Sequence, residues 1–177
     1  NQWPTINNTY TTATAAVDFA ILQNQIPEFD TWGVGIMALN DQSGNKILNN
    51  NFLSVSTAYH KTLDENGYHT LTVGFQGTYA NKRLDLTKAT FEDQLTALGF
   101  TGITNEVFSN NDHVAINYFD VNAGLLYSGS TNGFNNFYLG ASTYHISRPE
   151  EKFTTTGAKF ILNQRLTVHG GGYVPIG

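Results

Sequence analysis

Residues 118–127 read Tyr118-Phe119-Asp120-Val121-Asn122-Ala123-Gly124-Leu125-Leu126-Tyr127. Successive side chains of an extended chain point to opposite faces, so Phe119, Val121, Ala123, Leu125 and Tyr127 share one side of a strand. Tyr118, Asp120, Asn122, Gly124 and Leu126 share the other, which carries a carboxylate and an amide. The alternation recurs upstream. Leu71, Val73, Phe75 and Tyr79 oppose Thr70, Thr72, Gly74, Gln76 and Thr78, and Leu53, Val55, Thr57 and Tyr59 oppose Ser54, Ser56, Ala58 and His60. Between these two runs lies Asp64-Glu65-Asn66-Gly67, a hairpin signal because Asn-Gly accepts the positive φ angles of a tight turn.

Further out, Trp32, Val34, Ile36 and Ala38 alternate with Gly33, Gly35 and Met37, and Ala13, Ala15, Val17 and Phe19 with Thr12, Thr14, Ala16 and Asp18. Downstream, Phe137, Leu139, Ala141 and Thr143 alternate with Asn136, Tyr138, Gly140, Ser142 and Tyr144. The stretch from Ala158 to Val174 is less regular, with Phe160, Leu162, Leu166 and Val168 as its apolar side around Arg165. Six strands are clear and two more are indicated. The long connector from Ala80 to Asn117 holds the one candidate helix, from Thr90 to Gly99, where Phe91, Leu95 and Leu98 stand at helical spacing.

Composition narrows the class. Charged residues are 13% of 177, against about 25% in ordinary soluble domains. Aromatic residues also make up 13%, an apolar content that disordered chains lack. No run approaches the roughly 20 apolar residues of a spanning helix. A net charge of −5 disfavours a phosphate-binding surface, so nucleic acid is not an expected partner. There is no cysteine, hence no disulfide or thiolate chemistry.

The predicted polar faces carry Ser, Thr, Gly, Asn, Gln and Tyr with little charge, where a soluble sandwich would place Lys and Glu against bulk water. An apolar outer band alternating with a polar interior is the pattern of a transmembrane antiparallel up-and-down β-barrel. Tyr59, Tyr79, Tyr127 and Tyr144 near strand ends fit interfacial rings. A soluble jelly roll or lipocalin-like barrel alternates in the same way and stays open as a reading at this point. On the membrane reading, Trp32, Val34, Val55, Val73, Phe75, Val121 and Leu139 are expected to face lipid. Asp18, His60, Asp120, Asn122 and Arg165 are expected to face the lumen.

Six blocks carry a resemblance by their order: Asn1-Gln2-Trp3-Pro4; Gly33 to Asp41 followed by Gly44; the hairpin from Tyr59-His60 to Leu71 through Gly77; Tyr118 to Tyr127; Tyr138-Leu139-Gly140 with His145-Ile146-Ser147-Arg148-Pro149; and Leu166 to Tyr173. In that succession the chain resembles the PorP/SprF family of type IX secretion membrane proteins. The resemblance implies an outer-membrane β-barrel serving the type IX secretion apparatus, and gliding motility where the bacterium glides. It implies no enzymatic activity and no cofactor, with other secretion or gliding subunits and outer-membrane lipid as partners. The chain is then expected to be one barrel domain over residues 1–177, covering seven or eight strands and incomplete at both ends. A porin-like passive channel and a soluble β-sandwich binding module are the competing functional readings.

Individual side chains point to little chemistry. His60, His69, His113, His145 and His169 contain no i, i+4 pair, so no metal site is expected, although His60 and His69 could meet across their hairpin. Asp18 and Asp120 are candidates to pair with Arg165 inside the barrel, against hydrated lumen charges with no partner. Asn40-Asp41-Gln42-Ser43-Gly44-Asn45 lacks the terminal Glu of a calcium loop and reads as a polar hairpin loop. Gly170-Gly171-Gly172 lacks the context of a phosphate loop and reads as a bend within a strand. Trp3 beside Pro4 reads as an anchor at the membrane interface or as a packed terminal residue.

Overall fold

A computed structural model describes residues 10–44, 46–97, 99–104, 113–151 and 160–175. Trp3, Pro4 and Ala158 lie outside them. The described residues hold eleven strands, in chain order β1 Thr11–Ile21, β2 Thr31–Ser43, β3 Leu48–Thr62, β4 His69–Asp85, β5 Leu95–Thr96, β6 Gly99–Phe100, β7 His113–Gly129, β8 Asn136–Tyr144, β9 Glu150–Glu151, β10 Phe160–Ile161 and β11 Arg165–Tyr173. Seven of them form one antiparallel sheet in the order β1-β2-β3-β4-β7-β8-β11. Each long strand pairs with the next long strand in the chain, the up-and-down arrangement expected from the alternation. The sheet is open, with β1 and β11 at its edges.

Paired residues in an antiparallel ladder share a face, so the register turns local alternation into surfaces. Ile21, Trp32, Tyr59, Val73, Leu125, Ala141 and Val168 form one cross-strand row, and Phe19, Val34, Thr57, Phe75, Ala123, Thr143 and Leu166 the next. Val17, Ile36, Val55, Gly77 and Val121 follow, then Ala15, Ala38, Leu53, Tyr79 and Phe119. This apolar face is solvent-accessible throughout; Val55 is 57% exposed and Phe75 56%. Among the described residues only Ala80 and Ile116 are buried hydrophobics, and no large side chain is fully enclosed. Among the described residues no second layer covers the seven-stranded sheet, so its apolar side is bare, the reverse of the soluble sandwich, whose greasy faces meet in a core.

The connections differ between the two ends of the sheet. At one end residues 22–30, 63–68 and 130–135 make short links; at the other, 44–47 is short while 86–112 and 145–164 are long. The 63–68 turn is built as its sequence suggests: the Asp64 carboxylate accepts the backbone N–H groups of Tyr68 and His69 at 3.1 and 2.7 Å, and Gly67 takes φ +72°. The 22–30 link is tied down by Asp30, which accepts from the Tyr59 hydroxyl at 2.5 Å, Lys61 at 2.9 Å and the Thr62 N–H at 2.9 Å.

Those bonds, the Tyr59 hydroxyl first and then Lys61 and the Thr62 amide, hold the Asp30 carboxyl at about 2, below the ordinary 3.8. A carboxyl lowered on folding stabilises the anchored link fully above the ordinary value, and the contribution fades as the pH falls toward 2. Amide protection in residues 22–30, taken relative to the intrinsic exchange rate at each pH, should therefore fall between about pH 4 and pH 2, and Asp30→Asn should flatten that dependence. An unchanged profile in the variant would show that Asp30 does not anchor the link.

Two expectations change. No helix forms over Thr90–Gly99: a 3-10 turn at Glu92–Gln94 leads into the β5-β6 pairing, and Leu98 lies outside the described residues. Isolated helices of this length are marginal in water, and Leu95 and Phe100 are exposed here, with no apolar surface to receive a helical stripe. Instead, the buried Gln94 accepts the Phe91 N–H at 2.8 Å and binds the Gly102 carbonyl at 3.2 Å, which closes a loop. Asn40 through Ser43 continue β2 and are not a hairpin loop, because all four pair with β3. Gly170 to Gly172 lie within β11, paired without interruption to Leu139, Tyr138 and Phe137, with the Tyr138 ring packed where a Gly171 side chain would stand.

Candidate functional site

All seven residues expected to face lipid, Trp32, Val34, Val55, Val73, Phe75, Val121 and Leu139, lie on the apolar face by register. Asp18, His60, Asp120, Asn122 and Arg165 lie on the opposite, polar face. On β3 the apolar stretch runs between Asn51 and Lys61; ten steps of about 3.3 Å, tilted by about 40–45°, give a band about 23–25 Å tall, the height of a barrel's apolar belt. At the short-link end the band closes on aromatic rings. Trp32 meets Tyr59 edge-on at 6.2 Å, its indole N–H donating to Thr57 at 2.7 Å, and Tyr127 stacks with His69 at 6.1 Å.

At the other end the apolar face stops at one level on four adjacent strands. The next row is Asn40, Asn51, Asn81 and Asn117 on β2, β3, β4 and β7, with Ala13 on β1. The amides bond in sequence: Asn40 donates to Asn51 at 2.6 Å, Asn51 to Asn81 at 3.5 Å and Asn81 to Asn117 at 2.5 Å, while Gln42 donates to Asn40 at 3.0 Å. Sequence reading missed this row because its members are unequally spaced along the chain.

A cavity of about 610 Å³ opens on the polar face. Gly33, Gly35, Gly74 and Gly124 keep its floor low, and Asp18, Ser56, His60, Gln76, Asn122 and Ser142 are among its polar groups. His60 bonds Thr72 at 2.8 Å on this face, whereas His69 is on the apolar face, so the two histidines do not meet across their hairpin. An even separation would be needed to put them on one side. Tyr144 also belongs to the polar face and not to the interfacial ring set, since it pairs with Arg165, whose guanidinium stacks over its ring at 4.5 Å. Arg165 is thereby engaged with an aromatic face and not with Asp18 or Asp120.

Asp120 has other partners. The β7-β8 pairing stops at Ala123 and Thr143, and past Tyr144 the chain turns, with His145 and Arg148 at φ +57° and +46°. Residues 145–151 then run beside the unpaired half of β7 as a strap. The Ile146 N–H donates to the Val121 carbonyl at 3.0 Å and the His145 N–H to the Asn122 amide oxygen at 3.1 Å. Asp120, 5% exposed, meets His145 Nδ1 at 2.9 Å and accepts from the Ser147 hydroxyl at 3.2 Å. Glu151 pairs with Lys82, whose ammonium lies 5.5 Å over the Tyr118 ring. Ser147 bonds the carboxylate and not the imidazole, so the trio lacks the nucleophile-to-base contact of a hydrolase triad. Its chemistry is that of a clamp.

A family model described as type IX secretion system membrane protein PorP/SprF matches residues 1–175. The chain belongs to the PorP/SprF family. It is accordingly a membrane component of type IX secretion. Neither the curated proteins nor the solved structures give a match to the chain. For a PorP/SprF protein the bare apolar face has a ready physical reason, since acyl chains can cover it as a second protein layer would.

Proposed function

We propose that this PorP/SprF protein is a non-enzymatic β-barrel of the outer membrane that scaffolds the type IX secretion machinery, with a role in gliding where the bacterium glides. One observation carries the reading: the family's membrane assignment coincides with an apolar band about 23–25 Å tall, bounded by aromatic rings on one side and amides on the other. Lipid faces the band and water fills the polar side. Open edges in lipid leave backbone groups unpaired at several kcal/mol each, so β1 and β11 must both find strand partners in the membrane. The end carrying links 22–30, 63–68 and 130–135 faces the periplasm, and the end carrying the long links 86–112 and 145–164 faces the exterior, as in other bacterial barrels.

The periplasmic tips supply the docking surface. Phe29, Leu63 and Phe134 stand exposed on the three links of that end, 22–30, 63–68 and 130–135. Leu63→Asp combined with Phe134→Asp should leave insertion intact, lower recovery of type IX subunits in detergent pull-downs by about tenfold or more, and depress secretion. Normal recovery and secretion would refute docking through these tips. The passive-channel reading predicts robust single-channel conductance of the purified protein, and the scaffold reading predicts little.

A further inference from the structure

We propose that the row Asn40, Asn51, Asn81 and Asn117 is a binding site for the saccharide headgroup of an outer-leaflet glycolipid. The inference rests on the membrane reading above and adds a ligand to it. Three features point to a sugar. The row begins at the register where the apolar face ends, on four strands together, so whatever covers it continues the acyl layer into its headgroups. It lies toward the end with the long links 86–112 and 145–164, the exterior side of bacterial barrels. Its donors are amides, and the adjoining row of Thr11, Gln42, Asn49, Arg83 and Ala115 adds a single cation.

The chemistry selects within the headgroup. Phosphate and carboxylate recognition calls for clustered Arg or Lys. A carboxamide offers both donors and acceptors, which suits a hydroxyl that is itself both. Asn40 spends both N–H groups, on Asn49 and Asn51, and anchors the row, while Asn81 accepts from Asn51 and donates to Asn117, leaving one N–H and one lone pair for an outside partner. The ladder thus holds the amides in place across three strand spacings, about 14 Å, and a polyol meets them without a large ordering cost.

The test uses the full-length protein in nanodiscs of phosphatidylcholine with or without rough-type lipopolysaccharide, followed by native mass spectrometry. Wild type should retain the glycolipid. Asn51→Ala with Asn81→Ala should lower retention by about tenfold or more, Thr70→Ala at the far end should not, and the deacylated saccharide should compete. Equal retention by the double variant, no retention by wild type, or dependence on the glycolipid's phosphates alone would overturn the proposal. Heat-modified gel mobility reports insertion separately: failure of wild type to insert would count against the membrane reading itself. If only the double variant fails to insert, Asn117→Ala, at the exposed end of the ladder, decides the question by the same retention measurement.

Discussion

Phe75→Arg should destabilise the inserted protein by about 2–4 kcal/mol, whereas Gln76→Arg, one residue on, should change it by less than about 1 kcal/mol. Phe75 sits in the middle of the apolar stretch of β4, between Thr57 and Ala123 in its row, and is largely exposed. An arginine there must enter the acyl layer near its centre, too far from either boundary for its side chain to reach headgroups cheaply. Gln76 points to the opposite face, where its amide oxygen accepts from Asn122 at 3.2 Å beside the open cavity. An arginine on that side keeps its water. The penalty corresponds to about a 30- to 700-fold shift in the folding equilibrium, measurable by urea titration in lipid vesicles. Equal effects of the two variants would mean that the faces do not divide lipid from water. A larger effect of Gln76→Arg would reverse them.

Both faces could be read from the chain because strand alternation is local: Val73 and Thr72 are assigned to opposite sides by adjacency alone. Register is not local. Asn40, Asn51, Asn81 and Asn117 align only once β2, β3, β4 and β7 are paired, and Asn40 to Ser43 looked like a loop because both sides of that stretch are polar. The strap escaped for a related reason. Residues 145–151 have no period, and their partners Asp120, Asn122 and Lys82 are fixed by where β8 ends, which depends on left-handed backbone at His145. The helix over Thr90–Gly99 failed because spacing describes an apolar stripe without saying whether any surface exists to receive it. For Arg165 parity assigns only a face, while the neighbour along the ladder, Tyr144, decides the contact.

Asp120→Ala should release the strap. The carboxylate is nearly buried and holds two groups of residues 145–151 at once, the His145 imidazole and the Ser147 hydroxyl. Hydrogen bonds to an ionised group contribute about 1.5–3 kcal/mol each, and they are not additive within one clamp, so the loss is about 2–3 kcal/mol of local closing energy. The Ile146 amide, bonded to the Val121 carbonyl, reports it directly: its exchange should accelerate by about 30- to 150-fold. Asp120→Asn keeps an oxygen for Ser147 and should fall between alanine and wild type. Ser147→Ala removes the weaker contact and should cost about 1 kcal/mol. None of these changes touches the apolar face, so insertion should stay normal, which separates the strap from the belt. Glu151 still pairs with Lys82 in the variant, so release should be confined to the stretch near His145 and should not spread past Pro149. Unchanged exchange at Ile146 would show that the backbone bonds of the strap hold it without Asp120.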